Sequence, residues 1–418
     1  MAAEPDHGHP PERVARWRRR AAEALSRGAA TPFFLFDMEP VRERVAELDR
    51  LDFGRPATQW LSTKTQPLAP LLSAWRQDGR PVEVVSEFEY RAALAEGFPV
   101  DRILVNGPAK HRWLPRVATE GMRVNFDSAR EVSELAPMAR RLGWRCGLRL
   151  CTREEFDPEH SAFATQFGFT PEEAEAVLPA LLRDGPVPEV LHFHLRTNVS
   201  RAGVYAAALD EALELARRCG WRPRVVDLGG GLPPRHTCGR DGKPYDASMD
   251  LTAFAEAVRA RLGAHPEIEE VWLENGRFVS AGSGVLVLGI HDVKDRRGLR
   301  QLVCDGGRTL NALVSNWEQH LLVPLEDRNG QPVATVVHGP TCMAWDQIAR
   351  RPLPSDLGHG DHLVWFEAGA YHLSWETRFS HGHAAVWWAD GTALHEVRAP
   401  QSFESWWGDW RRDPTAGT

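Results

Sequence analysis

Between residues 58 and 273, short apolar runs alternate with longer stretches in which apolar positions recur every three or four residues, the spacing of one buried helix face. The short runs are 58–62, 82–85, 103–106, 124–126, 147–150, 190–194, 225–228 and 271–273, eight in all. Parallel neighbours need helical crossovers, and eight tilted strands close a sheet on itself, so the pattern predicts a (β/α)8 barrel. Upstream lie a basic helical stretch at 11–27, a strand-like run at 32–37 and a second helix at 40–51. Beyond Arg277 the helical alternation stops, and 284–293, 300–305, 332–339, 362–367, 384–388 and 394–397 read as strands with glycine-rich turns. The predicted fold class is therefore α/β, a TIM barrel plus a C-terminal β-domain. Its parts are residues 1–44, a helix and strand joining the β-domain; 45–283, the barrel; and 284–418, the β-domain.

Just past the barrel runs stand Lys64, Ser86 and Glu87, Asn106 and Gly107, Asp127 and Ser128, Arg149, His194, Gly229-Gly230-Gly231, and Glu274-Asn275-Gly276-Arg277. In a barrel these positions share the C-terminal face, where active sites are built. Taken singly, each has a plain structural reading. Lys64 is a solvated lysine unless the cavity wall desolvates it, which favours the neutral amine that forms Schiff bases. The three glycines make a tight turn, and they also let a phosphate approach backbone N–H groups, for which nothing simpler requires three. His194 is a hydrogen-bonded core histidine or a ring that stacks on a planar heterocycle. Glu274 is one half of an internal ion pair with Arg277 or Arg149, or a carboxylate aimed at a pyridine nitrogen, which it would keep protonated.

Composition narrows the classes without adding chemistry. The 418 residues are 43% hydrophobic and 26% charged, an ordinary globular mixture for two or three domains. A net charge of -7 from well-mixed acids and bases lacks the basic excess of a nucleic-acid binder. Apolar runs such as 285–290 fall short of the ~20 residues that span a bilayer, and the first residues carry no signal-peptide core, so a cytoplasmic protein without a membrane partner is expected. The six cysteines form no C-x-x-C pair and read as mostly buried thiols. The histidines form no H-E-x-x-H, and the pairs His192/His194 and His381/His383 alternate as strand residues do, so no metal is expected.

Together, a Schiff-base lysine, a glycine phosphate loop, a stacking histidine and a carboxylate for a ring nitrogen describe a pyridoxal phosphate site. At this point the chain resembles the fold type III pyridoxal-phosphate enzymes, the diaminopimelate, ornithine and arginine decarboxylase group. The motifs run in order over roughly residues 31–390: Thr31-Pro32-Phe33-Phe34-Leu35-Phe36-Asp37, Ser62-Thr63-Lys64-Thr65-Gln66-Pro67, Asn106-Gly107-Pro108, Phe167-Gly168, Asp227-Leu228-Gly229-Gly230-Gly231, Glu274-Asn275-Gly276-Arg277, Asp305-Gly306-Gly307, Gly339-Pro340-Thr341-Cys342 and Glu367-Ala368-Gly369-Ala370-Tyr371.

By position, the resemblance implies that Lys64 holds the cofactor as an aldimine, His194 stacks on its ring and Glu274 pairs with the pyridine nitrogen. It also places Gly229, Gly230, Gly231, Gly276, Arg277 and Tyr371 at the cofactor, the glycine loop, Arg277 and Tyr371 at its phosphate, with Thr197 where the family has serine, and Glu83 and Arg149 at the cofactor too. Cys342 matches the family's cysteine, which enters the neighbouring subunit's site and reprotonates the α-carbon of the quinonoid, so a homodimer with shared sites is implied. Where the family has His-x-Gly-Ser this chain has His194-Leu195-Arg196-Thr197, and the acid after the cysteine is replaced by Met343. Leu313 and Trp317 stand where diaminopimelate decarboxylases have a substrate-gripping Arg-Pro-x-x-Tyr.

The expected reaction is decarboxylation of an amino acid or an amino-acid conjugate, as in the siderophore and antibiotic decarboxylases of secondary metabolism. Arg196, Arg308, Trp317, Met343 and Asp346 are the candidate substrate residues. A racemase, or a catalytically silent binding homologue, is the alternative.

Overall fold

The computed structural model describes residues 7–153, 165–311 and 314–411. Its strands are, in chain order, β1 (Phe33–Asp37), β2 (Ala57–Ser62), β3 (Val82–Val84), β4 (Ile103–Val105), β5 (Arg123–Phe126), β6 (Arg145–Leu150), β7 (Val190–Phe193), β8 (Val225–Asp227), β9 (Cys238–Gly239), β10 (Glu270–Asn275), β11 (Gly284–Arg296), β12 (Leu299–Cys304), β13 (Glu318–Gln319), β14 (Leu322–Pro324), β15 (Pro332–His338), β16 (Gln347–Pro354), β17 (His362–Trp365), β18 (Ala385–Asp390) and β19 (Ala393–Arg398). The chain divides into two compact units. One comprises Met1–Arg42, Arg235–Tyr245 and Ser280–Thr418, and the other Glu43–Pro234 and Asp246–Val279. The short segment 235–245, which lies inside the barrel's sequence span, thus groups with the β unit, where β9 pairs with β13.

In the second unit β10, β2, β3, β4, β5, β6, β7 and β8 form a closed barrel of parallel pairs. All eight strands correspond to the runs predicted from sequence. Their interior positions are apolar because both faces of such strands are covered. Trp60, Leu104, Val190, Val225 and Trp272, drawn from five of the strands, form one buried cluster. The Arg123 guanidinium lies over both indoles, 6.0 Å from Trp60 and 5.4 Å from Trp272. Val190 and Val225 begin their strands, so this plug fills the end of the barrel opposite the polar strand ends. The outer helices start where the sequence supplies caps. Ser86 accepts from Glu89 N, Ser128 from Glu131 N, and Thr170 with Glu173 makes a reciprocal capping box.

The other unit is a nine-stranded sheet with β16-β15-β12-β11-β1-β18-β19 as its main path and β14 and β17 branching from β11. The early strand β1 lies centrally in this sheet, antiparallel to β11 and parallel to β18. The helix Pro11–Ser26 buries Trp17, Ala21 and Ala24 in the same cluster as Phe33, Leu35, Val285 and Val287. The sequence pattern missed β16, whose Gln347-Ile348-Ala349-Arg350-Arg351-Pro352-Leu353-Pro354 holds two prolines. Such a strand is tolerated because it ends the path and pairs with β15 alone on it. His381 and His383 are corrected: both precede β18 in irregular chain, so their alternation is no strand signature. No helix among the described residues is long and apolar enough to cross a membrane.

One buried ion pair anchors the barrel's outer layer. Lys110 Nζ lies 2.7 Å from Glu131 Oε2, both side chains 0% exposed, and Glu131 also accepts the backbone N–H groups of Lys110 and Asp127. Glu131→Leu, which strands the ammonium, should destabilise the fold by about 3–5 kcal/mol, and Lys110→Met/Glu131→Leu should regain most of that loss. Urea titration of both variants tests this; a double variant as weak as the single one contradicts it.

Candidate active site

The C-terminal ends of the barrel strands gather a polar cluster around Glu274, the penultimate residue of β10, with only 3% of its surface exposed. Asn106, just after β4, donates its Nδ2 to Glu274 Oε1 in a short hydrogen bond. His192 Nε2 and His194 Nδ1 each lie 3.4 Å from the same carboxylate. The backbone N–H of Gly230 donates to His194 Nδ1 at 3.1 Å. In that arrangement Nδ1 carries no proton, which leaves Asn106 as the firm donor to Glu274.

Burial by itself raises the Glu274 carboxyl, but His192, cationic below about pH 3, and Lys64 outweigh it and hold the group below the usual carboxylate range. His192 is held down to about 3, chiefly by its own burial, and is neutral imidazole near neutral pH. Asp227, fully buried at the end of β8, behaves in the opposite way. Burial first and the facing Glu274 charge second push its carboxyl well above the ordinary range. Its Oδ1 accepts the N–H of Gly229 at 3.0 Å, and Asn125 Nδ2 lies 3.4 Å from Oδ2. The two facing acids are therefore shifted in opposite directions.

Lys64 follows β2 in the single turn Thr63–Thr65. Its Nζ lies 2.8 Å from Oε2 of Glu83, a β3 carboxylate whose side chain is 1% exposed, while the lysine side chain keeps 32% exposure. An amine paired with a buried acid yet open to the cavity is placed to react with a carbonyl compound once deprotonated. Arg149 ends β6 nearly buried, its guanidinium 3.6 Å from Asp127 and over the Phe167 ring at 4.6 Å. Thr197 is exposed and Arg196 half-buried in the turn after β7.

The glycine loop corrects one sequence inference. A Cβ at Gly229 would lie 2.6 Å from Phe193 O, at Gly230 2.5 Å from Glu274 O, and at Gly231 2.7 Å from Arg196 O. Gly229 and Gly231 also have φ of 65° and 96°. Backbone crowding alone therefore requires all three. Gly276 is a parallel case, since its Cβ would lie 2.5 Å from Thr65 Cγ2, so a glycine is what brings β10 up against the Lys64 turn.

Cys342, Tyr371, Arg308, Trp317, Met343 and Asp346 belong to the β unit. Cys342 is exposed and Met343 half-buried. Tyr371 has φ of 66°, uncommon for a bulky residue, and its ring stacks on Trp375 at 5.0 Å, with Trp317 edge-on to Trp375 at 5.6 Å. Two substrate candidates are corrected. Arg308 spends its guanidinium on Gln347 O at 3.1 Å and Asn316 Oδ1 at 2.6 Å. Asp346 is 1% exposed and its carboxylate accepts backbone N–H groups. Leu313 lies outside the described residues. Sequence reasoning overlooked Asn106, His192 and Asp227 as partners of Glu274; strand-end position was the available signal, but it does not say which strand ends meet.

The ligand-capable atoms of His192, His194 and Glu274 all lie within 4.8 Å of one another, a spacing that a divalent ion tolerates. The Gly230 N–H already occupies the His194 Nδ1 lone pair, which counts against that use. A pyridinium ring fits the donor set better, since it offers the N–H that a buried, ionised carboxylate lacks, and Lys64 supplies the amine.

Comparison with known proteins agrees with this chemistry. Residues 45–281 match the family described as pyridoxal-dependent decarboxylase, pyridoxal binding domain. The chain therefore belongs to the pyridoxal-dependent decarboxylases. It is 32% identical over 314 residues to a diaminopimelate decarboxylase of Actinosynnema pretiosum subsp. auranticum, covering 71% of this chain and 69% of the relative. A diaminopimelate decarboxylase of Deinococcus radiodurans is 30% identical over 370 residues, with 86% and 90% covered. Among solved structures, diaminopimelate decarboxylase from M. jannaschii in complex with L-lysine superposes with a TM-score of 0.80 at 19% identity, covering 94% of this chain and 95% of the other. Lysine/ornithine decarboxylase from Vibrio vulnificus complexed with cadaverine gives 0.75 at 20% identity, with 89% and 98% covered. At these identities the structural likenesses establish the barrel-plus-β-domain fold, and the family match establishes a pyridoxal phosphate-dependent amino-acid decarboxylase.

The Asp227 shift has a measurable sign. Its carboxyl is raised in the folded protein, and the unfolded chain titrates near the ordinary value, about 3.9. Its contribution to stability is therefore complete below that unfolded value and is lost as pH rises through the folded one. Asp227→Asn mimics the neutral acid without that loss, so its stability relative to the native protein should improve as pH rises above about 4 in urea titrations. A difference that stays constant with pH would show that the Asp227 carboxyl is not raised.

Proposed function

We propose that this enzyme removes the α-carboxylate of an amino acid, with Lys64 holding the cofactor, Glu274 setting its electronics and Cys342 returning the proton. The observation that carries the reading is the ionised, Asn106-held Glu274 at the same barrel end as the Lys64–Glu83 pair. Pyridoxal phosphate, when bound, supplies the conjugated ring that takes up the electron pair left when the Cα–carboxylate bond breaks.

The chain's own groups do the rest. Lys64 would hold the cofactor through Nζ, which Glu83 positions. Glu274 would face the ring nitrogen and favour its protonated form, because a carboxylate of depressed pKa is a poor proton acceptor. His194, fixed by the Gly230 N–H, supplies the flat face against which a ring packs. Gly229, Gly230 and Gly231 offer Cβ-free backbone to a phosphate, with Arg277, Tyr371 and Thr197 as its further partners and Arg149 and Gly276 lining the cofactor's surroundings. Carbon dioxide leaves, the Cys342 thiol gives its proton to Cα, and the thiolate regains one from water.

Cys342 and Tyr371 lie in the β unit, outside the barrel that carries Lys64, and the reading assigns them to the site of a second copy in a two-fold dimer. The names of the relatives make diaminopimelate the first substrate to test. Met343 and Trp317 offer no distal acid, and Arg196, half-buried in the turn after β7, is the proposed partner of a distal carboxylate or conjugate.

Lys64→Ala should lose the visible absorption of lysine-bound cofactor and nearly all carbon dioxide release from diaminopimelate, N-acyl diamino acids and lysine alike; a variant retaining both properties rules the assignment out. Glu274→Gln should still bind cofactor but turn over slower by roughly two or more powers of ten, each worth about 1.4 kcal/mol.

Mixing Lys64→Ala with Cys342→Ala protein tests the shared site. About half the dimers become mixed and each holds one intact site, so recovered activity should approach roughly a quarter of the native level. No recovery after verified subunit exchange excludes the shared site.

A further inference from the structure

The loop that carries Cys342 is closed around one buried carboxylate. Asp346 is 1% exposed, in a unit whose surrounding loop residues Cys342, Ala344 and Trp345 are exposed. Its Oδ1 accepts the Arg308 N–H at 2.7 Å, and its Oδ2 accepts the Thr341 N–H at 3.0 Å. The backbone adds two more closures: Gly339 N donates to Asp346 O at 2.9 Å, and Asp346 N to Met343 O at 3.0 Å. Thr341 Oγ1 accepts the Met343 N–H at 3.3 Å. Residues 339–346 therefore return on themselves, with Cys342 at the exposed tip.

Two glycines make room for this carboxylate and for nothing larger. A Cβ at Gly307 would lie 2.2 Å from Asp346 Oδ1, and one at Gly339 would lie 2.4 Å from Oδ2. The same two glycines touch each other, the added Cβ of each falling 2.5 Å from the other's Cα. A carboxylate so enclosed has no oxygen left for a substrate ammonium. Its hydrogen bonds run to the two segments that flank Cys342's loop and the 305–308 turn, and charge-assisted bonds of this kind are worth more than neutral ones. Arg308 extends the frame, since its guanidinium binds Gln347 O and Asn316.

We propose that Asp346 is a positioning residue which presents the Cys342 thiol by fixing the backbone of loop 339–346, and that it does not contact substrate. For its kinetic consequence the proposal rests on the reading of Cys342 as proton donor; for its structural consequence it does not.

The experiment uses holoenzyme and two readouts. The first is the alkylation rate of Cys342 by iodoacetamide, followed by peptide mapping, which is selective because Cys146, Cys151, Cys238 and Cys304 are buried and Cys219 is partly so. The second is kcat and KM in native and Cys342→Ala backgrounds. Asp346→Asn, which removes the charge at constant shape, should change the Cys342 labelling rate by roughly threefold or more. It should lower kcat about tenfold with KM within about twofold, and lower it no further when Cys342 is already alanine.

An unchanged labelling rate overturns the proposal, as does an equal loss of kcat in the Cys342→Ala background. If Cys342→Ala itself turns over at the native rate, the proton-donor reading fails, while a changed labelling rate still upholds the positioning of the loop. Should Asp346→Asn yield no folded holoenzyme, Gly339→Ala displaces the same carboxylate from the opposite side and carries the same expectations.

Discussion

A buried negative charge at the end of a closed barrel is the constraint on which the rest of this site depends. Taking an isolated carboxylate out of water costs many kcal/mol unless donors and countercharge replace the lost hydration. Around Glu274 they come from different strands: Asn106 from the end of β4, the two histidines from β7, and the Lys64 charge from the end of β2. The neighbouring Asp227 responds to the same field in the opposite sense, its carboxyl raised by burial and by the Glu274 charge. Two acids in one pocket are thus pushed apart, and Glu274, the one pushed down, is the group proposed to face a pyridinium nitrogen.

Close backbone approach is the second constraint, and it follows from the first. For Glu274 to meet residues of β7 and the loop after β8, those backbones crowd until no Cβ fits at Gly229, Gly230 or Gly231. The glycines thus serve packing, and two of their N–H groups hold side chains of the site, Gly229 N donating to Asp227 and Gly230 N to His194. Packing and the proposed phosphate contact would select the same residue type here, which is why composition alone could not separate them.

The β unit uses a carboxylate differently. Asp346 accepts backbone N–H groups and converts a polar loop into a closed frame, while Tyr371, from backbone of unusual φ, stacks on Trp375. Such shapes persist because the surrounding bonds over-determine them. The two acids are therefore opposites: Glu274 is proposed to meet a ring, and Asp346 is spent on architecture.

The sequence by itself determined the eight barrel strands and made Lys64, His194 and Glu274 candidates, because strand and helix periods and strand-end positions are local properties, while Cys342 became a candidate through the family motif. It did not reach β16, whose prolines are admissible only at a sheet edge, nor the segment 235–245, which crosses to the β unit for pairing. Which strand ends meet is a property of barrel closure. Only the tertiary structure could pair Asn106 with Glu274 across 168 residues, raise the Asp227 carboxyl, and bury Asp346 among backbone N–H groups. Sequence spacing fixes where a side chain leaves the backbone, but its charge and partners are set by what folding brings against it.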